Sequence, residues 1–314
     1  MKYLSTLKTV FLAFALTQVM ACTSTTILPA PSQSEDIAIQ FTDESLSGFF
    51  DLPGGVHRVP ESQVIISGHQ SNSWVGSVLG PIGLSLQSAI DAENAESAIS
   101  NTEAMLQFKL TEAANAIADE LIAQPEFAYH YTDYQTPRTP VLNVKTAVIL
   151  TYQNETDVKP YVLLQAALKD ARANTDIWWT RYIASSGPAR PFSGENGWAA
   201  NDGQAFEDNI AQNLEKAIKL MMTDVATPYP RYSSEVITVQ GFYPYVRYKM
   251  QTVGYKMDET DTHIIYQPKL GDAIVFSGVH LIDKSTVDIR PTQEGDAVYK
   301  ILEEEENTEQ SQTE

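Results

Sequence analysis

The sequence predicts an α+β protein in which helices cover an antiparallel sheet, followed by a small all-β barrel or sandwich. Three features of the chain lead to this prediction. Residues 141–184 hold three alternating segments with short connections, residues 206–225 repeat apolar side chains at helical spacing, and residues 235–302 hold closely spaced short strands. Helices gathered on one face of an antiparallel sheet give an α+β layer.

The sheet is predicted from three strands at 141–152, 161–169 and 177–184. Each strand alternates apolar side chains with other residues, which is the period-two pattern of a strand with one face toward a core. The connections 153–160 and 170–176 are short and polar. Such connections favour an antiparallel meander, because parallel neighbours need crossovers of a dozen or more residues.

Two helices are predicted to cover this sheet. The first, at 111–124, has a candidate N-cap in Thr111 and ends before Pro125. The second is the clearest amphipathic segment of the chain, since its apolar residues recur every three or four positions. Those residues are Phe206, Ile210, Leu214, Ala217, Met221 and Val225. A further helix is predicted at 84–100, and further strands are predicted at 64–67, 104–110 and 127–131.

The chain is divided into six predicted segments. They are a signal peptide (1–21), a flexible tether (22–40), an α+β domain (41–226), a linker (227–234), a small β domain (235–302) and an acidic disordered tail (303–314). In the β domain, short strands are predicted at 236–239, 245–252, 263–266, 273–281, 286–289 and 297–301. Prolines mark both the tether and the linker, and the tail begins with four consecutive glutamates.

The N-terminus has the layout of a secretory signal peptide. Lys2 and Lys8 give a short positive end, an apolar run covers 10–16, and Ala21 is a small residue at a plausible cleavage point. The apolar run is too short for a spanning helix and lacks a stop-transfer flank. Cys22, which follows Ala21, is the single cysteine of the 314-residue chain.

This stretch resembles the lipobox of bacterial lipoproteins, through Val19, Ala21 and Cys22. The resemblance implies that Cys22 is acylated and becomes the first residue of the mature protein. Several acyl chains are needed for stable anchoring, because one chain alone holds only marginally. Thr23 after the cysteine favours the outer membrane by enterobacterial-type sorting, with the inner membrane as the alternative. The plainer interpretation of Cys22 is a small buried hydrophobic residue.

The charge of the chain excludes one class of partner. The formal net charge is −19, and cleavage before Cys22 would remove two lysines and no acidic residue, giving −21. A surface this negative repels nucleic-acid phosphates and anionic lipid headgroups. We therefore expect membrane attachment through acyl chains on Cys22, and no nucleic-acid partner.

No catalytic motif is present in the sequence. None of the five histidines has an HExxH or HxH spacing, and GxSxG, GxGxxG and Walker motifs are absent. Residues 258–263 are the densest cluster of oxygen ligands, but they lack the central Gly and the ligand count of a calcium loop. The sequence therefore predicts no catalytic residues, no metal and no cofactor.

Two segments are candidate binding sites. The loop at 187–198 combines Arg190 and Glu195 with an apolar anchor, Trp198, and loops on rigid scaffolds often carry function. The second segment combines Tyr245 and Tyr248 with the cation of Arg247, a set suited to a glycan or an acidic partner. The alternatives are a plain strand-to-helix connection for the loop, and strand preference for the tyrosines.

The order of elements over 104–225 is similar to that of small periplasmic α/β domains in the TolB N-terminal region and in the curli-secretion lipoprotein. With the anchor, this predicts a non-catalytic, periplasm-facing envelope protein that binds other envelope proteins. One alternative is an oligomeric secretion or pore lipoprotein that uses the GxxxG spacing at Gly76 and Gly80. Another is a cell-wall glycan enzyme that uses Glu195 as acid or base.

Overall fold

The computed structural model describes residues 28–33, 36–47, 51–54, 56–68, 109–170, 175–232, 235–270 and 273–302. Several predictions lie outside these residues. They are the signal peptide, the Cys22 lipobox, the start of the tether, the GxxxG spacing, the helix at 84–100, most of the strand at 104–110, and the acidic tail.

The described residues form one mixed sheet and two α-helices. The first six strands are β1 (Ala38–Thr42), β2 (His57–Arg58), β3 (Val64–Ser67), β4 (Val141–Tyr152), β5 (Asp157–Lys169) and β6 (Asp176–Ser185). The others are β7 (Arg190–Pro191), β8 (Glu235–Gly241), β9 (Met250–Glu259), β10 (His263–Pro268), β11 (Val279–Asp283), β12 (Asp288–Pro291) and β13 (Tyr299–Ile301). The helices are α1 (Leu110–Ile122) and α2 (Gln204–Ala226).

The main path of the sheet runs β12-β8-β9-β10-β11-β6-β5-β4-β3-β2. The predicted antiparallel sheet followed by a separate small barrel is therefore wrong. The C-terminal strands join the edge of the predicted meander, because β11 pairs with β6 in parallel. Two further parallel pairs, β1 with β4 and β3 with β4, make the sheet mixed.

The central meander of the prediction is confirmed. β4, β5 and β6 are consecutive antiparallel neighbours, with Val148 opposite Val162 and Leu163 opposite Ile183. Their buried residues alternate between two faces of the sheet, as strand geometry requires. β5 begins four residues earlier than predicted, so the segment Asp157–Pro160 belongs to the strand instead of the connection.

Both predicted helices in the described part of the chain are present, and no described helix is long and apolar enough to cross a membrane. Thr111 is not the N-cap of α1: Lys109 holds that position, and the Thr111 hydroxyl donates to the carbonyl of Thr42 at 3.3 Å. The strand predicted at 127–131 is instead a series of turns. Only Tyr131 joins a strand-like bridge, to Ile37.

The sheet has an apolar core on each face. On one face, α1 and α2 cover side chains such as Leu142, Leu164 and Tyr182. On the other face, Tyr161, Leu163 and Ile183 pack against the loop 242–249 and the segment 273–277. In the described part of the chain, helices therefore cover one face and irregular segments cover the opposite face.

The irregular segments replace two predicted strands. Residues 242–249 form a loop in which Tyr245 has a φ of +71°, and β9 starts only at Met250. Residues 273–281 divide into a short 3-10 helix (Ile274–Phe276) and the start of β11. Gly278 between them has a φ of +94°, and a Cβ there would lie 2.3 Å from the carbonyl oxygen of Arg181. Only glycine fits this close approach.

Candidate ligand-binding site

The first predicted site, the loop at 187–198, folds back onto the sheet. Trp198 is buried, donates its Nε1–H to the carbonyl of Val158 at 2.7 Å and packs edge-on against Phe206. The guanidinium of Arg190 lies 5.0 Å from the centre of the Trp198 ring. Glu195 is exposed and stands apart from this pair. The structure therefore brings Arg190 and Trp198 together, with the indole acting as part of the core.

The second predicted set divides between the interior and the surface. Tyr245 is fully buried, and its N–H donates to the Thr151 hydroxyl at 3.0 Å. Arg247 pairs with Glu155 at 2.6 Å on the surface, and Tyr248 is half-buried against the second core. The three side chains do not form one aromatic surface. Use of any of them as a binding residue stays a prediction.

A different set of residues lines a cavity on the face opposite the helices. The cavity has about 20 Å³ open to the centre of a water molecule, which is room for roughly one water. β5, β6 and β11 supply its sheet side, and the loop 242–249 closes it. Its polar side chains are Lys159, Tyr161, Ser185, Tyr243, His280 and Thr286. All of them except Thr286 are more than nine-tenths buried.

Lys159 is the cation of this cavity. Its side chain is on the same face of β5 as Tyr161, because the two lie two positions apart. Lys159 is 5% exposed, and its ammonium lies 5.7 Å from the centre of the Tyr161 ring. Among the described residues it makes no hydrogen bond and no ion pair. Burial lowers its pKa to about 8, and the charge of Asp283 opposes this shift.

Ser185 and His280 are two further buried polar groups of the cavity. Ser185 ends β6, is 7% exposed and lies opposite Ile282 of β11. His280 is 2% exposed and packs edge-on against Tyr243 at 5.8 Å between ring centres. Within the described part of the chain, neither the Ser185 hydroxyl nor His280 Nε2 has a hydrogen-bond partner.

The protonation state of His280 follows from its surroundings. Burial lowers its pKa to about 4, although hydrogen bonds to the backbone of Phe276 and Ser277 oppose the shift. The ring is therefore neutral at pH 7. A hydrogen bond that raises a histidine pKa is one that the ring donates, and Nε2 makes none, so we assign the proton to Nδ1. Nε2 is then a buried acceptor without a hydrogen-bond partner in the described residues.

Near the cavity, on the opposite face of the sheet, lies a polar cluster whose members hydrogen-bond one another. Ser186 points to the opposite face from Ser185, where its hydroxyl donates to Asn213 Oδ1 at 2.9 Å. Lys216 Nζ donates to the same hydroxyl at 2.9 Å, and His263 Nε2 lies 3.3 Å away. Burial and the charge of Lys216 lower the pKa of His263. This cluster has the partners that the cavity groups lack.

The cavity residues were missed by the sequence analysis for local reasons. Lys159 lies among Asn, Glu, Asp and Pro, and that composition indicates a connection. His280 falls within a predicted strand, but nothing near it in sequence indicates what it faces. The one sequence signal of a buried lysine is the position of Lys159 between Val158 and the apolar run after Pro160.

Among the described residues, no group of three His, Cys, Asp or Glu side chains is arranged to hold a metal ion.

The fold and the cavity define a mixed-sheet α+β protein with a buried polar pocket. No family model and no curated protein matches the sequence. A Xanthomonas campestris protein of the family model DUF330 is 12% identical, with a TM-score of 0.26 over 63% of this chain and 84% of that chain. A putative neuraminyllactose-binding hemagglutinin homolog from Helicobacter pylori is 7% identical, with a TM-score of 0.24 over 64% and 90%. Such scores define neither a family nor a function for this chain.

Proposed function

We propose that this chain is a lipid-anchored, non-catalytic protein of the outer membrane that faces the periplasm and binds other envelope proteins. The observation that carries the proposal is the lipobox-like stretch that ends at Cys22, the single cysteine of the sequence. Acylation accounts both for the position of this cysteine and for the absence of a second one. Multiple acyl chains would hold the strongly negative protein at a surface that its charge does not favour.

The described N-terminal residues support an orientation for the anchored protein. The carbonyl of Leu28 accepts a hydrogen bond from Trp178 Nε1 at 2.9 Å, near the start of β6. Leu28 follows Cys22 by six positions, and a chain segment of that length spans at most about 20 Å. The lipid would therefore hold the Trp178 end of the sheet close to the bilayer.

Replacing the cysteine tests the anchor. We expect Cys22→Ala to move the protein from the membrane fraction to the soluble fraction, whereas Ser24→Ala, two residues away, should leave it in the membrane. Mass spectrometry of the wild type should find Cys22 as the first residue, carrying added acyl mass. A different mature N-terminus, or membrane retention of Cys22→Ala, would contradict the proposal.

The connection from α1 to β4 supports a role in protein binding. It presents Tyr129 and Tyr134, which are 83% and 76% exposed. Tyrosine is enriched at protein interfaces. Neither ring is covered by the described part of the chain, so both are accessible to a partner. A photo-crosslinking residue at position 129 should capture an envelope protein in intact cells, and the same residue at exposed Lys300 should not. Equal capture at both positions, or none at 129, would count against this surface.

A further inference from the structure

One end of the sheet is defined by the register of four strands. Ala38 of β1 lies beside Val141 of β4, and Val141 lies opposite Lys169 of β5. Lys169 in turn lies opposite Asp176 of β6. β1, β4 and β6 therefore begin where β5 ends. The 13 residues of β5 extend away from this end over about 43 Å.

Two large aliphatic side chains are exposed at this end, next to the same buried indole. Leu28 is 45% exposed and Ile177 is 44% exposed. The carbonyl of Leu28 accepts the hydrogen bond from Trp178 Nε1, and Ile177 is the neighbour of Trp178 in the chain. The hydrogen bond therefore fixes both aliphatic residues at the start of β6.

Ile177 occupies its position because of a β-bulge. Leu168 of β5 lies opposite Trp178, whereas the next residue, Lys169, lies opposite Asp176. Ile177 is therefore the extra residue of β6. Bulges re-aim side chains at the margins of sheets. The packing of the described chain does not account for a large apolar residue that a bulge leaves in solvent.

We propose that Leu28 and Ile177 dock this end of the sheet on the membrane, at the boundary between headgroups and acyl chains. The inference rests on the lipid anchor proposed above. Because Leu28 follows Cys22 by six positions, at most about 20 Å of chain separates it from the acylated residue. A surface tethered this closely meets the bilayer at high effective concentration, so a small apolar contact is sufficient for docking.

The contact is apolar rather than electrostatic. The strand ends around Ile177 carry Lys169, Asp170 and Asp176, which add to a negative charge in a chain whose formal net charge is already −19. Such a surface does not attract anionic lipid headgroups. A zwitterionic membrane is therefore the surface that fits, and docking should not depend on salt, because salt screens charges and not apolar contacts.

The tyrosines of the proposed protein-binding surface lie on another side of this end. Tyr131 forms its bridge with Ile37 on the edge of β1 that faces away from β4. Three strand spacings, about 14 Å, separate β1 from β6. A protein bound at Tyr129 and Tyr134 therefore leaves Ile177 free to contact the membrane.

Photo-crosslinking at two isoleucines tests the docking. The acylated protein carries a photoreactive amino acid at position 177 or 289 and is placed in vesicles of phosphatidylcholine and phosphatidylethanolamine. Ile289 is the matched control, because it is a strand isoleucine of 37% exposure on β12, five strand spacings or about 24 Å from β6 along the sheet. Mass spectrometry should find lipid adducts at 177 and only background at 289. The yield at 177 should be unchanged when the salt concentration is raised about tenfold.

A substitution at the second side chain tests whether the two act together. Leu28→Ser removes about half of the apolar contact but keeps the carbonyl that Trp178 binds, so the lipid adduct at 177 should fall about fivefold. Val298→Ser is the control, since Val298 is 42% exposed in the C-terminal part of the chain and its loss should leave the adduct unchanged. Both variants retain Cys22 and should stay in the membrane fraction.

Failure of the docking and failure of the anchor give different results. A membrane-bound, acylated chain without lipid adducts at 177, or with equal adducts at 177 and 289, would overturn the docking and leave the anchor intact. Adducts at 177 to protein alone, including a second copy of this chain, would also overturn it. Lipid adducts at 177 that persist in Cys22→Ala would contradict the anchor and support the docking. Circular dichroism of each variant separates loss of the contact from loss of the fold.

Discussion

Two clusters of buried polar groups on opposite faces of the sheet differ in how their hydrogen bonds are made. On the helix-covered face, the carboxylate of Asp224 accepts hydrogen bonds from Arg231 at 2.6 Å, from the Tyr182 hydroxyl at 2.8 Å and from the Tyr229 N–H at 3.1 Å. On the other face, the Ser185 hydroxyl and His280 Nε2 have no hydrogen-bond partner within the described residues, and the Lys159 ammonium contacts the ring of Tyr161.

This difference separates structure from function in physical terms. A buried charge with all of its hydrogen bonds made contributes to a single packed arrangement, and breaking it is expensive. A buried charge without a partner lowers the stability of the fold, so its presence is explained by something other than folding. Removing Arg231 should therefore lower the free energy of unfolding, whereas removing Lys159 should raise it.

The largest expected effect is the loss of the Arg231 side chain. Arg231→Met leaves the Asp224 carboxylate buried with no counter-charge, because both side chains of the pair are at most 3% exposed. Breaking such a pair from one side costs about 3–5 kcal/mol of unfolding free energy. Urea unfolding at pH 7 measures this change.

Arg247→Met is the matched control for that prediction. Arg247 pairs with Glu155 at the same distance of 2.6 Å, but the Glu155 side chain is 86% exposed. Exposed pairs contribute about 0–1 kcal/mol, so this variant should unfold almost as the wild type does. Equal losses in the two variants would mean that burial does not distinguish the pairs.

The second expected effect has the opposite sign. Lys159→Met should stabilise the protein at pH 7 by about 3 kcal/mol, because the pKa of Lys159 falls from 10.5 to about 8 on folding. Between pH 8 and 10.5 the unfolded wild-type chain binds more protons than the folded protein, so wild-type stability rises with pH over this range. The difference in stability between the variant and the wild type therefore shrinks there.

Urea unfolding of wild type and Lys159→Met at pH 7 and pH 10 tests both parts. Lys300→Met is the control, since Lys300 is an exposed strand lysine whose replacement should change stability by less than about 0.5 kcal/mol. A destabilised Lys159→Met would show that the ammonium has a favourable role in the fold, which the comparison of the two faces excludes.

The sequence predicted those parts of the fold that depend on local pattern. β4, β5, β6 and α2 were predicted because period-two and period-3.6 spacing are visible within each segment. The parallel pairing of β11 with β6 joins Ile183 to His280, nearly a hundred residues away. Alternation indicates that a segment is a strand, but it carries no information about which strand lies beside it. That is why a separate barrel was predicted where one sheet forms.

The cavity was missed for a related reason. Local composition assigns Lys159 to a turn, whereas its burial depends on the covering loop 242–249 and on β11. Of the predicted site residues, Trp198 and Tyr245 proved to be buried and Glu195 exposed, and no chain-local pattern distinguishes these outcomes. Cys22 is different, because its interpretation depends only on the neighbouring residues and needs no tertiary structure.

The smallest expected effect concerns acid conditions and His280. Its pKa is about 4 in the folded protein against 6.5 for an ordinary histidine, so the unfolded chain binds more protons between these values. The folded protein is therefore most stable, with respect to this group, above pH 6.5, and it loses stability as the pH falls toward 4. Between pH 7 and pH 5 this loss amounts to about 2 kcal/mol.

Urea unfolding of His280→Asn should lack that part of the pH dependence, whereas His130→Asn, which replaces an exposed histidine, should keep it. The same pH dependence in wild type and His280→Asn would mean that the ring protonates in the folded state, and the acceptor assigned to the cavity would then be absent at acidic pH.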